Sequence, residues 1–143
     1  MSLRELDVLL VEDQPTDAEL VLRALWRQLP RERVDWVRDG EKALTRLGEL
    51  RIATGFALPR LVLLDLKLPR VSGLELTASI RADKGLCRVP LVILSSSADE
   101  TDIARAYECG ANSYVVKPVD IDQLDAAVQL LTSYWLSLNR VAG

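Results

Sequence analysis

Five short apolar runs alternate along this chain with stretches whose apolar residues recur at helical spacing. Leu6, Asp7, Val8, Leu9, Leu10 and Val11 read as a buried strand that ends at Glu12 and Asp13. Pro15 suits a first helical turn, and Asp17 and Glu19 are acids that favour a helix N-terminus. Ala18, Val21, Leu22, Leu25 and Leu29 then repeat at helical spacing until Pro30. Residues 33–37 predict a weaker second strand, and Asp39 can cap a helix running through Ala43, Leu44 and Leu47 to Gly48. From 49 to 60 no period is convincing, so a long connection is expected. Leu61 to Leu66 predicts a third strand, apolar throughout except at Asp65. Pro69 and Gly73 punctuate the next loop, where Ser72 and Glu75 have capping-box spacing. A fourth strand over 90–94 runs into Ser95, Ser96 and Ser97. A helix from Asp99 to Cys109 stops at Gly110, a fifth strand covers 113–117, and Asp120 caps a last helix reaching about Leu138.

Near-continuous apolar strands separated by helices predict a parallel sheet covered on both faces, a doubly wound α/β fold. The strand–helix units fill positions 1–143, so one domain with an extended last helix and no output domain is expected. On that helix Leu124, Ala127, Val128, Leu131, Trp135 and Leu138 form the stripe expected to face the sheet. Ala126, Leu130 and Tyr134 make a second stripe about 100° away, which predicts a homodimer interface.

Composition narrows the chemistry. The 21 acidic and 18 basic residues leave a net charge of −3, which disfavours nucleic-acid binding. Histidine is absent, removing imidazole catalysis and histidine metal sites. Cys87 and Cys109 match no metal or redox motif and read as ordinary thiols of a reducing compartment. The first residues lack the apolar core of a signal peptide and no run is long enough for a membrane span, so a cytoplasmic location is expected.

Ligands of open α/β sheets bind beyond the carboxyl ends of the strands. Those ends supply Glu12 and Asp13, Asp65, Ser95 and Lys117. Any one of them alone is an ordinary capping or solvated residue; their joint placement is informative. Packed carboxylates repel unless a counter-charge arrives, and Mg²⁺ is suited to that role. Mg²⁺, the Lys117 ammonium and the Ser95 hydroxyl could neutralise the oxygens of a phosphoryl group, with a carboxylate as acceptor. The glycines are too scattered for a nucleotide-binding loop. The phosphoryl donor must then be another molecule.

These segments match a known pattern. Val8-Leu9-Leu10-Val11-Glu12-Asp13, Leu63-Leu64-Asp65-Leu66-Lys67-Leu68-Pro69 with Gly73, Val92-Ile93-Leu94-Ser95, and Gly110 through Pro118 resemble the receiver domain of two-component response regulators. The resemblance implies a flavodoxin-like, five-stranded parallel sheet of order 2-1-3-4-5 with five helices. It implies Asp65 as phosphoacceptor, Asp13 and Asp65 as direct Mg²⁺ ligands, Glu12 acting through water, and the Lys67 carbonyl completing the set. Ser95, Ser96 and Lys117 would contact the phosphoryl group, Ser95 and Tyr114 would form the switch, and Lys117–Pro118 would be cis. The implied partner is a histidine kinase. The long 49–60 stretch and the aromatic last helix resemble the stand-alone regulators of bacterial phytochrome kinases. Such a protein accepts a phosphoryl group and is expected to dephosphorylate itself, without being a turnover enzyme.

Two other functions compete. A haloacid-dehalogenase-type phosphohydrolase also uses an aspartate nucleophile, but Asp65-Leu66-Lys67 lacks that family's second aspartate. A phosphorylation-independent interaction module would be expected to have lost Asp13, Asp65 or Lys117, and all three are present. A phosphate sink remains an alternative to binding a downstream protein.

Overall fold

Parallel strands in the order β2-β1-β3-β4-β5 form the centre of the computed structural model, which describes residues 6–54 and 58–140. The strands are β1 (Val8–Val11), β2 (Val34–Val37), β3 (Leu61–Leu64), β4 (Leu91–Ser95) and β5 (Ser113–Val116). The helices between and after them are α1 (Pro15–Trp26), α2 (Gly40–Thr54), α3 (Gly73–Ala82), α4 (Glu100–Cys109) and α5 (Ile121–Ser133). The fold is the flavodoxin-like one expected.

The central strands β1, β3 and β4 are buried at every residue, whereas β2 and β5 at the edges are less covered. Because side chains alternate along a strand, each central strand serves two cores. Leu9, Val11, Val62, Leu64 and Ile93 pack with residues of α2, α3 and α4. Val8, Leu10, Leu63, Val92 and Leu94 pack with α1 and α5 on the other face. Ser72, Asp99 and Asp120 cap α3, α4 and α5 through their side-chain oxygens, and Gly110 closes α4 at φ 108°. The caps at Ser72, Gly110 and Asp120 are those that the spacing predicts, whereas Asp99, expected as the first helical residue, is the N-cap of α4.

Three expectations need correction. Helix α2 continues beyond Gly48 to Thr54, so much of the expected connection is helical; residues 55–57 lie outside the described range. Ala43, Leu47 and Leu50 are buried at successive turns, and that apolar face outweighs the roughly 1 kcal/mol cost of one glycine. The last helix does not keep its period either. After Ser133 the chain makes a π turn over Tyr134–Leu138, with the Asn139 N–H donating to the Tyr134 carbonyl at 2.6 Å. The wider turn rotates the stripe: Leu136 is buried, while Leu138, expected to face the sheet, is exposed. Finally, Lys117–Pro118 is trans, since the described residues contain no cis peptide bond. The trans form is intrinsically favoured, and Lys117 makes both its strand hydrogen bond and its side-chain contacts from it.

Candidate functional site

The sheet ladder itself assembles the acidic rim. The Asp65 N–H donates to the Val11 carbonyl at 3.1 Å, which carries the β1–β3 pairing one residue past β3. The Glu12 N–H likewise donates to Val37 at 3.1 Å, and the Lys117 N–H donates to Ser95 at 2.7 Å. Each of these three strands is thereby carried one residue further along its neighbour. The Trp36 indole N–H fixes the Glu12 backbone, donating to its carbonyl at 2.8 Å.

Lys117 then reaches inward from β5. Its ammonium donates to Glu12 Oε1 at 2.6 Å and lies 3.4 Å from both Asp65 Oδ2 and Asp17 Oδ2. Glu12 is fully buried, and the side chains of Lys117 and Asp65 are nearly so. One ammonium thus serves three carboxylates. Burial alone would lower the Lys117 pKa, but Glu12, Asp65 and Asp17 together hold it above the usual lysine value. Burial pushes the Glu12 carboxyl up, and the Lys117 contact offsets that only in part, with Asp65 adding repulsion.

Gly73 fixes how closely α3 approaches the acceptor strand. Its N–H donates to Leu66 at 2.8 Å. A Cβ placed there would collide with the Asp65 carbonyl oxygen, the Leu66 Cα at 2.7 Å and Leu64 Cδ1 at 2.8 Å. Asp65 itself accepts from the Leu66 N–H at 2.7 Å through Oδ1, so its other oxygen faces the ammonium.

Of the other predicted residues, some lie around this centre and some do not. Asp13 is half-buried, and its carboxylate accepts from the Gln14 side-chain amide at 3.4 Å. Lys67 and Ser96 are exposed on their loops. Ser95 is buried, and its Oγ accepts from the Ser97 N–H at 3.2 Å. Tyr114 donates its hydroxyl to the Ser97 carbonyl at 2.8 Å. Ser97 also donates to Asp102 on α4 at 2.6 Å, and its Oγ accepts the Asp99 N–H at 3.2 Å. Ala126, Leu130 and Tyr134 are all exposed, far along α5 and the π turn.

Asp17 is the site residue that sequence reasoning missed. Its position in the first turn of α1 gives an ordinary reason for an acid. Only the return of Lys117 over the start of α1 shows its second contact.

No group of three or more Asp, Glu, His or Cys side chains among the described residues is arranged to hold a metal ion unaided. The donor chemistry nevertheless fits a hard cation. Acidic groups exceed the single ammonium, and Mg²⁺-type coordination needs only one or two carboxylates, the rest being carbonyl or water.

The chain is similar to known proteins. Residues 8–129 match the response regulator receiver domain family. A probable methanogenesis regulatory protein, FilR2 of Methanothrix harundinacea, is 41% identical over 95% of this chain and 87% of its own. Response regulator Rcp1 of Synechocystis is 35% identical over 90% of this chain and 88% of its own. Among solved structures, a phosphorylated cyanobacterial phytochrome response regulator, RcpA, superposes with a TM-score of 0.86 at 34% identity, covering 98% of this chain and all of that one. Rcp1 has been solved in a Mn²⁺-bound form, with a TM-score of 0.83 at 32% identity and coverage of 98% and 100%. With an aspartate at the end of β3 facing a lysine from the end of β5, this chain belongs to the response regulator receiver domain family, whose members are phosphorylated on an aspartate and are generally not turnover enzymes.

Proposed function

We propose that the chain is a stand-alone response regulator that takes a phosphoryl group from a histidine kinase onto Asp65. The observation that carries this reading is the Lys117 ammonium held between Glu12 and Asp65 at the carboxyl edge of the sheet. The Asp65 carboxylate oxygen attacks phosphorus, the bond from phosphorus to the donor nitrogen breaks, and an acyl phosphate forms. Lys117 then exchanges a carboxylate contact for a phosphoryl oxygen. Asp13, Asp65 and the Lys67 carbonyl would hold Mg²⁺, with Glu12 acting through water; the ion supplies the counter-charge that the acidic rim lacks. Ser95 and Ser96 would offer hydroxyls, and the Ser95 and Tyr114 pair would report the modification. Hydrolysis of the acyl phosphate by the protein itself would end the signal.

The likeness to RcpA supports a phytochrome-type kinase as the partner. No helix among the described residues is long and apolar enough to cross a membrane, and a cytoplasmic location accords with such a partner. The output is contact with a downstream protein from a single receiver domain, and a homodimer through Ala126, Leu130 and Tyr134 would frame it. Leu130 is 73% exposed and Tyr134 49%, beside a groove of about 550 Å³ lined partly by Val115, Leu131 and Trp135.

Acetyl phosphate with Mg²⁺ should label the protein once, and mass spectrometry should place the phosphoryl group on Asp65. Asp65→Asn should abolish the label. A phosphoryl group located on another acid would overturn the assignment. Phosphotransfer profiling against purified kinases should give fastest labelling by a phytochrome kinase, and a faster unrelated kinase would overturn that pairing.

A further inference from the structure

At the opposite end of the sheet, a cleft of about 470 Å³ opens where β4 and β5 begin. Arg81, Arg88 and Arg140 line it, together with Asn112, Asn139 and Trp135. No carboxylate lines the cleft, and none of the three arginines forms an ion pair among the described residues. In a chain of net charge −3, three unpaired guanidinium groups around one cavity are out of keeping with the average surface.

Arg81 is built in. Its Nε donates to the Gly110 carbonyl at 2.7 Å, one terminal nitrogen donates to the Cys87 and Val89 carbonyls at 2.9 and 2.7 Å, and the other donates to Asn112 Oδ1 at 2.8 Å. Four of its five N–H groups are thereby spent on neutral acceptors, which leaves one N–H and the whole charge without an anion. Burial pushes its pKa below the ordinary arginine value, as expected for a cation held without a carboxylate. Arg88 and Arg140 are exposed and can fold over a ligand.

We propose that this cleft binds a small phosphate-bearing anion. Guanidinium forks match phosphate oxygens, and three converging cations favour a multiply charged group over a single carboxylate. The cleft falls in the size range of small-molecule sites, exceeding what a bare oxyanion fills, and Trp135 gives it one apolar wall. The site is separate from the acidic rim, so its occupancy and Asp65 labelling can be measured independently.

Calorimetric titration at low salt tests this, using inorganic phosphate, AMP and adenosine on the full chain. Saturable AMP binding is expected, weakened at least about tenfold in an Arg88→Ala, Arg140→Ala variant whose acetyl phosphate labelling is unchanged. Phosphate binding as tightly as AMP would name the inorganic ion as the source; AMP binding more tightly would name an organic monoester. No saturable binding of either below about 10 mM would overturn the proposal. So would equal binding by adenosine, or affinity retained in the doubly substituted protein.

Discussion

Replacing Gly73 by alanine should be costly even though its φ is not positive and nothing in its backbone requires glycine. The added methyl would meet the Asp65 carbonyl oxygen and the Leu66 Cα at 2.7 Å, both backbone atoms that cannot rotate away. Relief requires α3 to move off β3. Overpacking of this kind costs about 1–3 kcal/mol, and losing the 2.8 Å bond from the Gly73 N–H to Leu66 adds about 1 kcal/mol. At about 4 °C per kcal/mol for a domain of this size, melting should fall by roughly 8–16 °C. Gly48→Ala is the matched control. It lies inside α2 with nothing within 4 Å of the new methyl, so the same substitution should stabilise by about 0.5–1 kcal/mol. Thermal unfolding followed by circular dichroism reads both, and acetyl phosphate labelling of Gly73→Ala should slow because the Asp65 backbone is displaced. A Gly73→Ala protein melting within about 2 °C of the parent would refute the close-approach argument.

Lys117→Met should destabilise by about 3 kcal/mol at neutral pH, because buried Glu12 loses its cation, and Glu12→Gln in the same chain should restore much of the loss. Urea unfolding of the three variants checks this, and additive losses would count against a shared pair. Labelling by acetyl phosphate should need a divalent cation and should be suppressed in Asp13→Ala, whereas full-rate labelling in excess chelator would contradict the metal's role. Sedimentation equilibrium should show dimers of the parent and monomers of Leu130→Arg, Tyr134→Arg; a parent that stays monomeric with and without a phosphoryl mimic would end the dimer reading.

The fold was legible because the central strands are apolar on both faces, a pattern that only a doubly covered parallel sheet uses well. The acidic rim followed from where those runs stop. Departures came where local signals were ambiguous. Gly48 is a fair helix stop by composition, yet Leu50 extends the buried face past it. The π turn leaves no mark in a periodic reading, since Tyr134, Trp135, Leu136 and Leu138 offer apolar residues to either phase. Asp17 already had an adequate role in its own helix, so its contact with a residue 100 positions away could be seen only in three dimensions.

Ser97 joins elements that are distant in sequence. Its N–H is given to Ser95, its carbonyl to Tyr114, and its hydroxyl to Asp102 and Asp99. Every polar group of that residue is committed, so the loop has no spare valence with which to adjust by degrees. Pulling the Ser95 hydroxyl towards β3 disturbs the support of Tyr114 and the anchor on α4 together. Each such bond is worth about 1 kcal/mol when alone, and a satisfied network centred on one residue can be worth more than the sum of its bonds. Under the proposed function Ser97 would act as a toggle, with its backbone as pivot.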